Sequence, residues 1–302
     1  MLHVAGYQGP SSILTQGLRC LVDTLKSKGW KSDIDWIPNV TDHQEKAADL
    51  FASIEKGNRH IGYMASGYLS ARVPELEVLE LPFTVDNRET ALAALDRSAG
   101  EILSQAVHAK TGFHVLGFWD NGFRHLSNAM RPIQKPSDAV GLKIRTLDSA
   151  LYRATLDAIG FNAVTSDVKD LVSLIAQDVV QAQENPLTNY MGFELWKYHP
   201  YVSLTHHFYG VLLLVCPRAW YASLNQEERQ LLAYAAKTST ALQRQLAAEQ
   251  DAITLARIQD IGVKVLPKDA LDMQAFHKSV ESISFIARAQ IPKDLLAAYL
   301  GS

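Results

Sequence analysis

Arg145 has the clearest chemistry to offer. It lies near the end of the run Gly141-Leu-Lys-Ile-Arg145-Thr146, a glycine turn feeding a short strand. A later strand ends in Gln183-Glu184-Asn185-Pro186. Helical patterns at residues 149–159, stopped by Gly160, and at 167–177 lie between them, so residues 141–186 read as two βα crossovers. Crossovers place Arg145 and Asn185 at the C-terminal ends of parallel strands, the edge where open α/β sheets bind ligands. A guanidinium there presents a planar fork of donors suited to a carboxylate. The alternative for Arg145 is an internal ion pair with a neighbour such as Asp148. Asn185 also suits the N-cap of a helix starting at Pro186, a role compatible with ligand contact.

Other polar and aromatic residues fall where they could line the same cleft. Gln8 follows the first strand, and Ser66 and Tyr68 follow the third. Trp119 and Asn121 lie in the turn-broken run before Arg124, with Trp119 reading equally as core or cleft wall. Phe208 and Tyr209 sit where the chain returns across the molecule, and one of them can stack on a ligand. The pair His206-His207 invites a metal, but adjacent strand residues point to opposite faces and no third ligand is near. No metal and no cofactor are expected. Phosphate-loop, nucleophile-elbow and zinc-protease patterns are missing. A base to work with Arg145 is missing too, which argues against an enzyme.

These residues need a frame, and the chain is long enough to supply one. Its 302 residues, 47% of them apolar, allow two domains with sizeable cores. The net charge of −3 gives no electrostatic reason to expect nucleic acid or an anionic membrane as partner. No apolar run is long enough for a spanning helix. Strands at 2–6, 33–37 and 59–64 alternate with helices at about 12–28 and 42–56, a βαβαβ order that implies a parallel sheet. An extended, proline-punctuated segment is expected at 73–83, then a helix over 87–110 broken at Gly100. Strands follow at 113–118 and 123–128, and again at 201–205 and 208–216. Asn225-Gln-Glu-Glu228 is a capping-box start. Neither Gly nor Pro interrupts the stretch from Gln226 to Ile261. A single helix there would be about 50 Å long, more than one small domain. Leu231, Ala235, Leu242, Leu246, Ile253 and Ala256 are its expected buried stripe; a kinked pair of helices is the alternative. Cys20 and Cys216 read as buried free thiols, with a disulfide unsupported.

In order, Val73-Pro-Glu-Leu, Leu81-Pro-Phe83, Gly122-Phe-Arg124 with Ser127-Asn128, Gly141-Leu-Lys-Ile-Arg145-Thr, Gln183-Glu-Asn185-Pro and the long helix resemble the DctP-type substrate-binding proteins of TRAP (tripartite ATP-independent periplasmic) transporters. The resemblance covers nearly the whole chain. It implies an α/β, two-lobed periplasmic-binding-protein-like fold, with a long helix spanning both lobes and a ligand cleft between them. Lobe one is expected at residues 1–121 plus about 209–250, lobe two at 122–208 plus about 251–302. It also implies a monomer that captures a small organic acid, a dicarboxylate or sugar acid first, and delivers it to a membrane permease. The location implied is periplasmic, with a leader removed. A protein feeding a sensor would share the same cleft. By the resemblance, Arg145 makes a two-pronged salt bridge to the substrate carboxylate, Arg124 adds a second contact, and Asn185 donates to the same group. Two departures stand out. Ala182 replaces a frequent Gly, and residues 162–169 are more polar than the family pattern.

Overall fold

The computed structural model describes residues 1–301. Strand β1 (Leu2–Ala5) pairs in parallel with β2 (Ile34–Ile37), and a bridge from Val4 to Ile61 ties them to the start of β3 (Gly62–Ala65). The rest of the strands are β4 (Phe113–Asn128), β5 (Lys143–Thr146), β6 (Asn162–Thr165), β7 (Ala182–Asn185), β8 (Tyr201–Pro217) and β9 (Lys264–Leu266). The larger sheet runs β3-β8-β4-β7-β5-β6, with β9 beside β8. β5 pairs in parallel with both β6 and β7, which puts Arg145 and Asn185 at the same edge.

Strands β4 and β8 carry the chain through the whole molecule. Phe113 of β4 pairs with Pro217 near β3, while Asn128 pairs with Tyr201 on the far side. Each is one strand, not two separated by a break as the sequence suggests. Bulges absorb the interruption: β4 shifts register at Val115/Gly117, Asp120/Gly122 and Arg124/Leu126. Such insertions bend a strand without ending its ladder. Gly122, at φ +88°, takes a conformation that glycine adopts freely, and its N–H donates to Asp120 Oδ1 at 2.7 Å. His206 answers it in β8 with φ +48°.

Other local expectations need correction. Residues 74–80 form a 3₁₀ helix, Pro74–Glu80, because a proline at its start pre-sets a helical φ. The break in 87–110 falls at Asp96-Arg97, between helices Arg88–Leu95 and Ser98–Lys110. Gly100 lies inside the second helix, where a Cβ would come within 1.8 Å of the Leu95 carbonyl oxygen. The segment 42–56 divides into a 3₁₀ turn, Val40–His43, and a helix, Ala47–Glu55, with left-handed Gln44 between them.

The long helix is continuous over Gln226–Asp260, 35 residues, and Asn225 and Glu228 form the reciprocal cap. Its buried face agrees with the expected stripe at Ala235, with Leu231 and Leu246 partly buried against the larger core, and departs from it further along. Ser239, Gln243, Ala247 and Thr254 are buried, whereas Ile253 is 56% exposed. Small and polar residues allow close docking. Gln243 bonds both the N–H and the carbonyl of Asp120, at 2.9 and 2.6 Å, and Ser239 donates to the Gly17 carbonyl.

The larger core gathers β1, β3, the adjoining parts of β4 and β8, and the helices around them, and defines one lobe. Two smaller clusters around β5–β7 and the start of β8 define the other. The long helix packs on both, through Ala236 on the first and Ile258 on the second. The last helix, Lys293–Leu300, packs with the larger core through Leu295 and Tyr299, although the sequence reading places 251–302 in lobe two. Both cysteines are free. Among the described residues no helix is long and apolar enough to cross a membrane.

Candidate functional site

Arg145 lies one residue before the end of β5 and is 2% exposed. Nε donates to Ser166 Oγ at 3.1 Å, and Nη2 donates to the Ser166 carbonyl. Among the described residues no carboxylate forms an ion pair with it, so the Asp148 alternative does not arise; Asp148 is exposed. Burial holds its pKa below the ordinary arginine value. Tyr68 and Glu184 pull the other way, and Arg124 adds like-charge repulsion.

Arg124 stands in the opposite condition. It is as deeply buried, but its guanidinium pairs with the Glu184 carboxylate through Nε and Nη2. Nη2 also reaches the Glu184 carbonyl at 2.9 Å and Asn185 Oδ1 at 3.2 Å. Burial works against the Glu184 carboxylate, but the Arg124 guanidinium, with the His207 ring 3.7 Å away, holds its pKa at about 2. Thr146 Oγ1 donates to the same carboxylate at 2.7 Å. Two guanidiniums against one carboxylate leave a buried excess of one positive charge, centred on Arg145.

The other sequence candidates divide by position. Asn185 is engaged on both sides: Oδ1 accepts from Arg124 and from Asn189, and Nδ2 donates to Gln183 at 2.6 Å. Tyr68 lies beside the Arg145 guanidinium; burial raises its phenol and Arg145 opposes the shift. Ser66 is turned to Glu80, 3.3 Å away. Gln8 crosses the cleft, donating to Asn189 Oδ1 at 3.3 Å. Phe208 stacks on Tyr152 with ring centroids 3.9 Å apart, and the Arg124 guanidinium lies over the same Tyr152 ring. Tyr209 is buried against Phe123, and Asn121 packs on Gly210. Trp119 is a core residue: fully buried, with Nε1 bonded to Thr240 of the long helix at 3.1 Å. It supports the cleft from behind instead of lining it.

A cavity of about 730 Å³ opens between the lobes beside this cluster. Gln8, Asn39, Lys169, Asn189 and Arg257 are among its walls, but Arg145 is not. The buried charge therefore lies outside the cavity. The polar ladder Gln8–Asn189–Asn185–Arg124 joins the two.

Sequence reasoning missed Glu184, Ser166, Asn189 and Tyr152. Only Asn189 carried a local signal, four residues after Asn185 on the following helix. The others depend on cross-strand register and loop paths. Among the described residues no cluster of metal-ligating side chains occurs.

Across residues 8–285 the chain matches the DctP family, the bacterial extracellular solute-binding proteins of family 7. The chain belongs to this family. It is 28% identical over 230 residues to the 2,3-diketo-L-gulonate-binding periplasmic protein YiaO of Escherichia coli, covering 76% of this chain and 69% of that one. The TRAP periplasmic solute-binding protein of Sulfurospirillum deleyianum, solved with bound succinate, superposes with a TM-score of 0.90 at 26% identity, covering 98% of this chain and 96% of that one. The corresponding protein of Sulfitobacter sp. NAS-14.1, with bound β-D-galacturonate, gives 0.91 at 23% identity over both whole chains. The DctP family and these structures are solute-binding proteins and not enzymes. The DctP-family protein described here shares their two-lobed α/β fold.

Proposed function

We propose that this DctP-family protein captures a small organic acid in the periplasm, as a monomer, and delivers it to the membrane permease of a TRAP transporter. The observation that carries the reading is Arg145, a buried guanidinium that among the described residues has no carboxylate ion-pair partner, at the C-terminal edge of the parallel strands. A buried charge is tolerated when a counter-charge and full hydrogen bonding accompany it. A ligand carboxylate supplies both and favours the closed state, whereas a neutral molecule favours it far less. Arg124 is already balanced by Glu184, so one anionic group suffices. That balance ranks monoanionic sugar acids ahead of dicarboxylates. Succinate and 2,3-diketo-L-gulonate, bound by relatives, fall within the same range of small acids.

A melting-temperature panel tests this: D-galacturonate, D-glucuronate, D-erythronate and succinate against neutral D-galactose and D-glucose. A cognate acid well above its Kd should raise Tm on the order of 5–10 °C. Stabilisation by the neutral sugars alone would overturn the carboxylate reading.

A further inference from the structure

Residues 162–169, the polar stretch that departs from the family pattern, do more than border the site. Ser166 accepts from Arg145 through both its hydroxyl and its carbonyl. The next residue, Asp167, crosses to the other lobe. Its Oδ1 accepts from the Ala47 N–H at 3.4 Å and its Oδ2 from the Ala48 N–H at 3.3 Å. These are the first two N–H groups of helix Ala47–Glu55. The residue preceding that helix, Lys46, has no side-chain acceptor with which to satisfy them. A carboxylate at a helix N-terminus gains from the charge-assisted bond and from the helix dipole. Lys169 makes a second crossing, donating Nζ to the Gln44 carbonyl at 2.8 Å. The Lys169 N–H in turn donates to Asp167 Oδ1 at 3.0 Å and steadies the carboxylate. One turn thus grips the anchor with its first residue and the facing lobe with its second and fourth.

We propose that Asp167, with Lys169 as a second arm, is a positioning residue that latches the closed lobes and couples the latch to the Arg145 anchor through Ser166. The proposal rests on Arg145 being the carboxylate anchor. The latch bonds form only when the lobes meet, so they slow release and leave capture nearly unchanged. Asp167 also opposes the positive field at Arg145. If that were its only role, removing it would tighten anion binding, the opposite result.

Stopped-flow tryptophan fluorescence with D-glucuronate, on the full chain, tests the latch, joined by small-angle X-ray scattering with and without the acid. Asp167→Ala should raise the dissociation rate roughly ten-fold with the association rate within about two-fold, since interface changes act mainly on release. Asp167→Asn keeps an acceptor and should fall between Asp167→Ala and wild type. Lys169→Met, which leaves the Asp167 carboxylate in place, should raise release about two- to three-fold, as suits an exposed contact. Scattering should show a larger radius of gyration for Asp167→Ala. Release rates within two-fold of wild type for both Asp167→Ala and Lys169→Met, or tighter binding by Asp167→Ala, would overturn the latch. If wild type responds to no acid in the panel, the functional reading fails separately. The latch is then decided by scattering without acid: a more expanded Asp167→Ala supports it, and superimposable curves overturn it.

Discussion

Taking a guanidinium out of water costs several kcal/mol unless a counter-charge and hydrogen bonds come with it. Arg124 and Arg145 are both 2% exposed and meet that cost differently. Glu184 balances Arg124 within the fold, whereas among the described residues Arg145 has no ion-pair partner and donates to the hydroxyl and carbonyl of Ser166. The same scale explains Glu80, a fully buried acid beneath the site. Its carboxyl accepts from Ser149 at 2.8 Å and Ser66 at 3.3 Å, and burial raises its pKa from 4.5 to about 7. Because the folded pKa is raised, the stability linked to Glu80 is fully present below about pH 4.5 and lost as pH rises through about 7. Glu80→Gln should therefore gain on wild type by up to about 3 kcal/mol between pH 5 and pH 8. Urea unfolding of both proteins at the two pH values reads this difference, and the buried histidines cancel from it. An equal gap at both pH values would contradict the assignment.

At the scale of elements, the long helix fixes the geometry through a few polar contacts. Gln243 alone satisfies the backbone N–H and carbonyl of Asp120, at the kink where β4 turns between lobes. Gln243→Ala leaves both groups buried and unpaired and should cost about 2–4 kcal/mol in urea unfolding. A loss below about 0.5 kcal/mol would show that the kink holds itself. What was legible in the sequence followed from local rules. The Asn225–Glu228 cap, the uninterrupted run after it, and the placement of Arg145 and Asn185 at strand ends needed only near neighbours. What was not legible depended on distant ones. The helix's buried face is set by β4 and by Gly17, which select Gln243 and Ser239 over Ile253. The Arg124–Glu184 pair needs the β4–β7 register, in which Leu126 faces Glu184. Strand β6 is a polar edge strand whose alternation is too weak to read alone.

For the whole molecule, two lobes joined by continuous strands and one helix can close without a flexible linker. Gln8 to Asn189, Lys169 to Gln44 and Asp167 to the Ala47–Glu55 helix are among the bonds that join the lobes across the cleft. On the proposed reading, closure encloses Arg145 and is favoured by a ligand that brings a negative charge. Isothermal titration calorimetry on wild type and Arg145→Ala, with the acid that most raises Tm, tests this claim most directly. Affinity should fall by roughly a hundred-fold or more, since a carboxylate would then be buried unpaired. Arg145→Lys should recover little of it, because a lysine keeps the charge and loses the fork. Affinity for the acid unchanged in Arg145→Ala would contradict the account.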